Sequence, residues 1–223
     1  MQLTGMLWGR KLLDLVEFPH SEVRGPELSV DEIKDMIKRH GQIFIKPLFK
    51  GGVGKKGKSG LLGRVDNIAD ALKEKERLYF AEHVDGYLKA KSDGVTYEGS
   101  VPAEYEVYFS ISESTEHRCP IMTITHHGGI DIEELDSDHV KVVPFDALTG
   151  LKAFHVSNAL MELGAPTALI SPLVQNLPKL WDLYNNYGML MLELNPIRMQ
   201  PGKGGRLAPI ACDFKCAFDL DDP

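Results

Sequence analysis

The stretch MLMLELNPIRM places a carboxylate and an amide in the middle of a segment whose other residues, apart from Arg198, are apolar. With the two-residue period of a strand, Leu190, Leu192 and Leu194 share one face. Glu193 and Asn195 then lie together on the other face. Because a desolvated carboxylate without a partner is costly, something should sit in front of this pair. Two partners fit: an Arg or Lys from a neighbouring strand, or a hard cation such as magnesium, which prefers oxygen ligands.

The overall composition bounds the class of protein. A chain of 223 residues, 43% hydrophobic and 26% charged, can bury the core of one large domain or two small ones. The formal net charge of −7 argues against nucleic-acid and anionic-membrane partners. The sequence shows neither a membrane span of roughly 18 apolar residues nor a signal peptide, and its three cysteines form no paired framework. We therefore expect a cytoplasmic protein.

Periodicity predicts a mixture of helices and strands. The segment from Ser29 to Gly41 is typical of a helix, since Ser29 and Glu32 form a capping-box pattern and a glycine follows the last turn. The elements do not alternate regularly as strand and helix, which favours an α+β fold. The other expected elements are strands over 42–47, 77–84, 104–114, 119–135, 189–199 and 207–218, a helix over 66–76, a hairpin or loop over 86–103, and helices over 150–186 interrupted near Pro166 and Pro172.

A loop rich in glycine and lysine follows the strand that contains Lys46. Its segment GVGKKGKS, Gly52 to Ser59, satisfies the P-loop pattern, but that motif requires a helix starting at the Lys-Ser pair. Here GLLGRVDN follows, and each glycine disfavours a helix by ~1 kcal/mol. The sequence therefore predicts a hairpin. A loop with four lysines can still close over phosphate groups or be a solvated basic loop; Lys46 before it favours phosphate binding.

Several motifs in order resemble the ATP-grasp domain of the succinyl-CoA synthetase and ATP-citrate lyase superfamily. FIKP, the glycine and lysine loop, FAEHVD, and the closing pair LELNP and ACDFK follow one another. THHGGIDIEE resembles the superfamily's EGGVDIE, and LELNPIRM resembles its LEINPLVV. The loop KKGKSGLLG is more similar to the RRGKLGLVG of ATP-citrate lyase than to the GRGKAGGV of succinyl-CoA synthetase. The resemblance runs from about Ile43 to the C-terminus.

This resemblance implies an α+β ATP-grasp fold of two α+β subdomains with the nucleotide between them. Residues 1–223 are expected to be one such unit. Roughly 26–82 would form the small subdomain with the loop, and 1–25 plus 83–223 would form the larger subdomain with the magnesium site.

The resemblance also implies a role for each motif. Lys46 and Glu193 would be the catalytic residues, with Glu193 facing the departing γ-phosphate. Asn195 and Asp213 would bind magnesium. The residues implied to contact ATP are Lys46, then Lys55, Lys56 and Gly57 over the triphosphate, then Glu82, His83, Val84 and Asp85 as a hinge facing adenine and ribose, and Glu106 at a ribose hydroxyl.

The implied function is the ATP- and Mg²⁺-binding part of ATP-citrate lyase, which makes acetyl-CoA and oxaloacetate from citrate and CoA with ATP. In this family the γ-phosphate passes to a histidine of the CoA-binding part, then to a carboxylate, which CoA displaces as a thioester. Since the chain stops after its closing strand, we expect a piece of a larger protein that needs this partner subunit or domain, within a hetero- or homo-oligomer.

Two alternatives stay open from the sequence. The chain could be the equivalent part of a citryl-, succinyl- or malyl-CoA synthetase, because the acid-binding residues are expected outside it. It could also be a nucleotide-binding module without turnover. His126 and His127 are not assigned as phosphate acceptors, because the family's phosphohistidine lies in the CoA-binding part.

Overall fold

The computed structural model describes two compact units, Met1–His20 with Pro102–Pro223, and Ser21–Val101. No helix within the described ranges is long and apolar enough to cross a membrane. The residues described are 1–49, 60–85, 88–129 and 135–219, without the side chains of Asp85, Leu88 and Lys203.

Both units combine helices with antiparallel strands. In chain order the elements are β1 (Gln2–Thr4), α1 (Met6–Asp14), β2 (Val23–Arg24), α2 (Val30–His40), β3 (Ile43–Pro47), β4 (Gly63–Val65), α3 (Ile68–Tyr79), β5 (Glu82–Asp85), β6 (Leu88–Lys91), β7 (Val95–Gly99), β8 (Tyr105–Ser114), β9 (Cys119–Thr125), β10 (Lys141–Pro144), α4 (Ala153–Glu162), α5 (Thr167–Asn176), α6 (Lys179–Asn186), β11 (Met189–Pro201), β12 (Leu207–Ala211) and β13 (Lys215–Phe218).

The smaller unit is built on a four-stranded sheet in the order β2-β7-β3-β4, with β5 and β6 as a separate pair. Helices α2 and α3 contact this sheet. Helix α2 starts at the capping box that the sequence predicts: Glu32 N–H donates to Ser29 Oγ, and Ser29 N–H donates to the Glu32 carboxylate. Gly41, with φ of 69°, caps its end.

The sequence predicts a hairpin or loop over 86–103, but strand β7 lies inside this segment and pairs with strands outside it. All five of its residues are buried. Its polar Thr96 and Glu98 alternate with Val95 and Tyr97, which makes the segment look solvated in the sequence. Because β7 pairs with both β2 and β3, the smaller unit extends to Val101, past the predicted limit at residue 82.

Helix α3 is longer than predicted. It begins at the Asn67 cap and continues to Tyr79, so the strand predicted over 77–84 starts only at β5. Leu78 is buried two turns after Ala71, and Arg77 pairs with Glu74 one turn earlier. Both spacings are those of a helix. The burial of Leu78 extends the apolar stripe of α3 through residues that also suit a strand.

The larger unit contains a seven-stranded sheet in the order β1-β13-β11-β8-β9-β10, with β12 also paired to β11. Val107, Phe109 and Ile111 of β8 lie on one face of the strand and are fully buried. Contacts join α4 to β9 and β10, α5 to β12, and α6 to β11.

The helical breaks of this unit differ in part from the prediction. Pro166 caps α5 as expected, but Pro172 lies inside this helix. Leu169 and Leu173 are both buried on either side of Pro172, and their burial favours a continuous helix. The next break falls at Leu177 and Pro178 instead.

Strand β11 carries two irregularities. One lies between Met189 and Met191, so that Leu190 is 47% exposed and Met189 only 3%, which reverses the predicted facing at this end. The other shifts the pairing with β8 at Asn195 and Pro196, whose peptide bond is cis. The predicted final strand 207–218 is likewise divided into β12 and β13.

Candidate functional site

The candidate site of the larger unit lies where β11 passes from its pairing with β12 to its pairing with β13. Ile197 of β11 pairs with Ala211 of β12. Because these strands are antiparallel, Asn195, two residues before Ile197, corresponds to Asp213, two residues after Ala211. The ladder between β11 and β13 keeps the same register. Because the register is the same on both sides of the gap between β12 and β13, the two predicted magnesium ligands lie opposite each other.

Burial alternates with a period of two around this facing pair. The polar side chains share one half-buried face, and the apolar side chains between them form the buried face. The sequence prediction that Glu193 and Asn195 share a face agrees with this alternation. The half-buried residues are Glu193, Asn195, Asp213 and Lys215, and the buried ones are Leu192, Leu194, Phe214 and Cys216.

Glu193 has polar neighbours on both adjacent strands. The Tyr108 hydroxyl donates to Glu193 Oε2 at 3.2 Å, and Ser110 is its register partner on β8. On β13 the register partner is Lys215. Of the two partners that the sequence left open, a lysine does stand opposite Glu193 in the strand register. That lysine and a bound cation are compatible, because a carboxylate has two oxygens.

Backbone N–H groups hold the two facing side chains. Gly129 N–H donates to Asn195 Oδ1 at 2.8 Å, and Phe214 N–H donates to Asp213 Oδ1 at 2.9 Å. A carbonyl oxygen has two lone pairs, so the contact with Gly129 fixes the orientation of the carboxamide without excluding a second partner.

Glu106 lies beside this arrangement on β8. Its register partner on β11 is Arg198, which contacts Glu106 Oε1 through Nε at 2.8 Å and through its terminal nitrogen at 2.7 Å. The predicted ribose-binding carboxylate is therefore ion-paired.

In the smaller unit, Lys46 contacts a buried carboxylate. Its Nζ lies 2.6 Å from Glu98 Oε2, and the two side chains are 18% and 5% exposed. Thr96 Oγ1 lies 3.5 Å from Glu98 Oε1. On the opposite face of the same strand, burial raises the pKa of Tyr97 to about 12. Lys46 is thus held on a rigid strand by an opposite charge.

The glycine and lysine loop connects two antiparallel strands. Ile43 of β3 pairs with Val65 of β4, and β4 follows the loop where a P-loop would require a helix. The predicted hairpin is confirmed. The predicted phosphate contacts Lys55, Lys56 and Gly57 lie outside the described residues.

The predicted hinge residues form β5, which pairs with β6 through His83 and Ala90 and through Val84 and Lys89. The chain leaves the smaller unit only after Val101, so β5 is internal to this unit and not the connection between the units. Base contacts by Glu82, His83, Val84 and Asp85 stay a prediction.

Three histidines cluster at the end of β9. The rings of His126 and His127 are 4.2 Å apart, and those of His127 and His139 are 5.3 Å apart. Burial, followed by the neighbouring His127 and His139, lowers the pKa of His126. The cluster therefore favours neutral imidazole at position 126.

The structure adds five residues that sequence reasoning did not assign. Lys215 could have been found, because it lies two residues after Asp213 and so on the same face. Glu98 was hidden in a segment interpreted as a loop. The contacts of Gly129, Arg198 and Tyr108 depend on strand register, which the sequence does not give.

The residues at the facing pair suit magnesium. Asn195 and Asp213 offer oxygen donors, and Mg²⁺ is commonly held by one or two protein ligands together with water and substrate phosphates. Within the described residues, no group of three or more His, Cys, Asp or Glu side chains could hold a metal ion. Asn195 and Asp213 would therefore form a sparse oxygen site, of the kind that holds Mg²⁺ together with phosphate.

The sequence of residues 16–199 matches the ATP-grasp domain family, so the chain belongs to that family. One curated relative is the succinate–CoA ligase [ADP-forming] subunit beta of Desulfatibacillum aliphaticivorans, 28% identical over 200 residues, which cover 87% of this chain and 51% of the relative. The chain spans about half the length of this relative and of the next, from a Nitratiruptor strain.

Solved structures share the fold. ATP citrate lyase from Methanothrix soehngenii has a TM-score of 0.68 at 19% identity, with 98% of this chain and 52% of that chain covered. A dinucleotide-forming acetyl-coenzyme A synthetase from Ca. Korarchaeum cryptofilum, in complex with coenzyme A and Ca-AMPCP, has a TM-score of 0.72 at 14% identity, with 98% and 93% covered. The α+β ATP-grasp fold and the suspected superfamily are confirmed.

Proposed function

We propose that this chain is the ATP- and Mg²⁺-binding part of an ATP-dependent acyl-CoA-forming ligase. The observation that carries this proposal is the facing pair Asn195 and Asp213, with Glu193 on the same half-buried face. The family match supports ATP binding, and the names of the relatives, among them ADP-forming CoA ligases, support the class of reaction.

The smaller unit supplies cationic groups for the phosphates. Lys46 meets the triphosphate, and Glu98 keeps its ammonium in place until phosphate oxygens share it. The loop residues Lys55, Lys56 and Gly57 cover the triphosphate, while β5 and Glu106 contact base and ribose. Phosphoryl transfer depends mainly on such positioning and charge neutralisation, with little covalent help from the protein.

The larger unit supplies the groups around the transferred phosphate. Asn195 and Asp213 hold Mg²⁺, which when bound neutralises phosphate oxygens. Glu193 faces the departing γ-phosphate. Tyr108 and Lys215 keep the Glu193 carboxylate oriented, and Lys215 offsets its charge beside an anionic substrate.

The finer proposal is ATP-citrate lyase, in which the γ-phosphate passes to a histidine of a partner subunit or domain that binds citrate and CoA. The loop KKGKSGLLG supports it. The curated relatives instead favour succinate as the acid, so a succinyl-CoA synthetase is the second candidate. A cytoplasmic location is part of the same proposal.

Calorimetric titration of the purified chain with MgATP tests the first proposal. We expect saturable binding that requires Mg²⁺ and is lost in Asp213→Ala and weakened in Lys46→Ala. Unchanged MgATP affinity in both variants would contradict the proposed site. Reconstitution with its partner, with citrate or succinate offered together with CoA, then identifies the acid.

A further inference from the structure

Arg198 contacts Glu106 through two nitrogens near the proposed ribose position. It is the register partner of Glu106, and two of its guanidinium nitrogens converge on Glu106 Oε1 at 2.8 and 2.7 Å. The side chains are 28% and 33% exposed, so the pair lies at the border of protein and solvent. A planar guanidinium with two contacts restricts the rotation of the carboxylate.

The second oxygen of Glu106 points toward a glycine pair. Gly128 N–H donates to the Glu106 carbonyl at 2.8 Å, and a Cβ added to Gly129 would collide with Glu106 Oε2. Gly129 also donates to Asn195 Oδ1. The Glu106 carboxylate is therefore held between Arg198 and the glycine pair, next to a proposed magnesium ligand.

Pairing of the two strands does not require this ion pair. The neighbouring register pair, Ile197 and Val107, is fully buried and apolar, and it already joins β11 to β8. Arg198 therefore adds an orientation to Glu106 that the sheet alone does not impose.

We propose that Arg198 is a positioning residue that determines selectivity for the ribose of the nucleotide. By occupying Oε1 of Glu106, it leaves Oε2, which borders Gly129, to accept the hydrogen of a ribose hydroxyl. This inference rests on the proposed function, because it needs nucleotide bound at the same site.

The experiment measures affinity for MgATP and for its 2′-deoxy and 3′-deoxy analogues, with the full chain as wild type and as Arg198→Met. A hydrogen bond to a charged group corresponds to roughly a tenfold preference or more, so the wild type should prefer ATP over one analogue by about that factor. Arg198→Met should reduce the preference to about threefold or less and leave the Mg²⁺ requirement intact. Arg118→Met, at the exposed turn after β8, is the matched control and should keep the full preference.

The outcomes separate the two proposals. A wild type that does not bind MgATP overturns both. A wild type that binds and discriminates, with Arg198→Met discriminating equally well, overturns the role of Arg198 alone. Should Arg198→Met fail to fold, as judged by the fluorescence of Trp8 and Trp181, Glu106→Gln replaces it and should lose the same preference.

Discussion

The two units hold their candidate ligand groups in different ways. In the smaller unit, Lys46 is compensated by the nearly buried Glu98 within the protein itself. In the larger unit, Asn195 and Asp213 lie opposite each other, and each accepts a hydrogen bond from a backbone N–H. The first pair is therefore part of the folded core, whereas we propose that the second receives a cation. Disrupting the first should change both stability and phosphate binding, and disrupting the second should chiefly change binding.

The largest expected effect tests the smaller unit. Lys46→Met leaves the Glu98 carboxylate buried without its cation, which should cost about 3–5 kcal/mol in the free energy of unfolding of this unit. Chemical denaturation followed by far-UV circular dichroism measures this loss. Both tryptophans, Trp8 and Trp181, belong to the larger unit, so their fluorescence should change little.

The double variant Lys46→Met with Glu98→Gln is the control for that loss. Removing both charges should recover most of the stability, because the uncompensated carboxylate is gone. Stability unchanged by the single substitution would show that the pair is as solvated as a surface ion pair.

The next effect tests the larger unit. Asp213→Asn keeps the shape of the side chain but removes its charge, so apparent Mg²⁺ affinity in the presence of ATP should fall by roughly 10- to 100-fold, about 1.4–2.7 kcal/mol. The midpoint of unfolding by tryptophan fluorescence should stay near that of the wild type. Asp182→Asn, on the exposed side of α6, should leave Mg²⁺ affinity unchanged.

A smaller effect tests whether Gly129 orients Asn195. Gly129→Ala places a methyl group against Glu106 Oε2 at a φ of 77°, and it should weaken Mg²⁺ binding by roughly 3- to 10-fold as the N–H contact to Asn195 is displaced. Gly164→Ala is matched, since φ is 64° and a Cβ would meet nothing within 4 Å. Gly164→Ala should lower the stability of the protein without changing its Mg²⁺ affinity. Equal Mg²⁺ affinity in the two variants would argue against the orienting role.

The smallest effect concerns pH. Burial, then His127 and His139, holds the pKa of His126 below its ordinary value of 6.5, so the folded protein binds fewer protons at this position than the unfolded chain. Stability of the larger unit should therefore decrease as pH falls below about 6.5 and level off below the folded pKa. His126→Asn should lose less stability than the wild type between pH 7.5 and 5.5, measured by urea denaturation with fluorescence detection.

Much of the candidate site could be predicted because its side chains interrupt strong local patterns. Glu193 and Asn195 stand out in an apolar strand, and Lys46 precedes a loop too rich in glycine for a helix. The contacts that complete these groups could not be predicted. Glu98 reaches Lys46 from the neighbouring strand β7, and the segment that carries it alternates polar and apolar residues as a solvated hairpin also does.

The sequence by itself determined the α+β class, the capping box of α2, the hairpin around the glycine and lysine loop, and the membership in the ATP-grasp family. These follow from periodicity, turn residues and motif order, which are properties of neighbouring residues. Only the tertiary structure decided that Asn195 lies opposite Asp213, that Lys215 faces Glu193, and that Arg198 holds Glu106. Register depends on bulges and on pairing between strands far apart in the chain, and a shift of one residue would turn every one of these side chains to the other face.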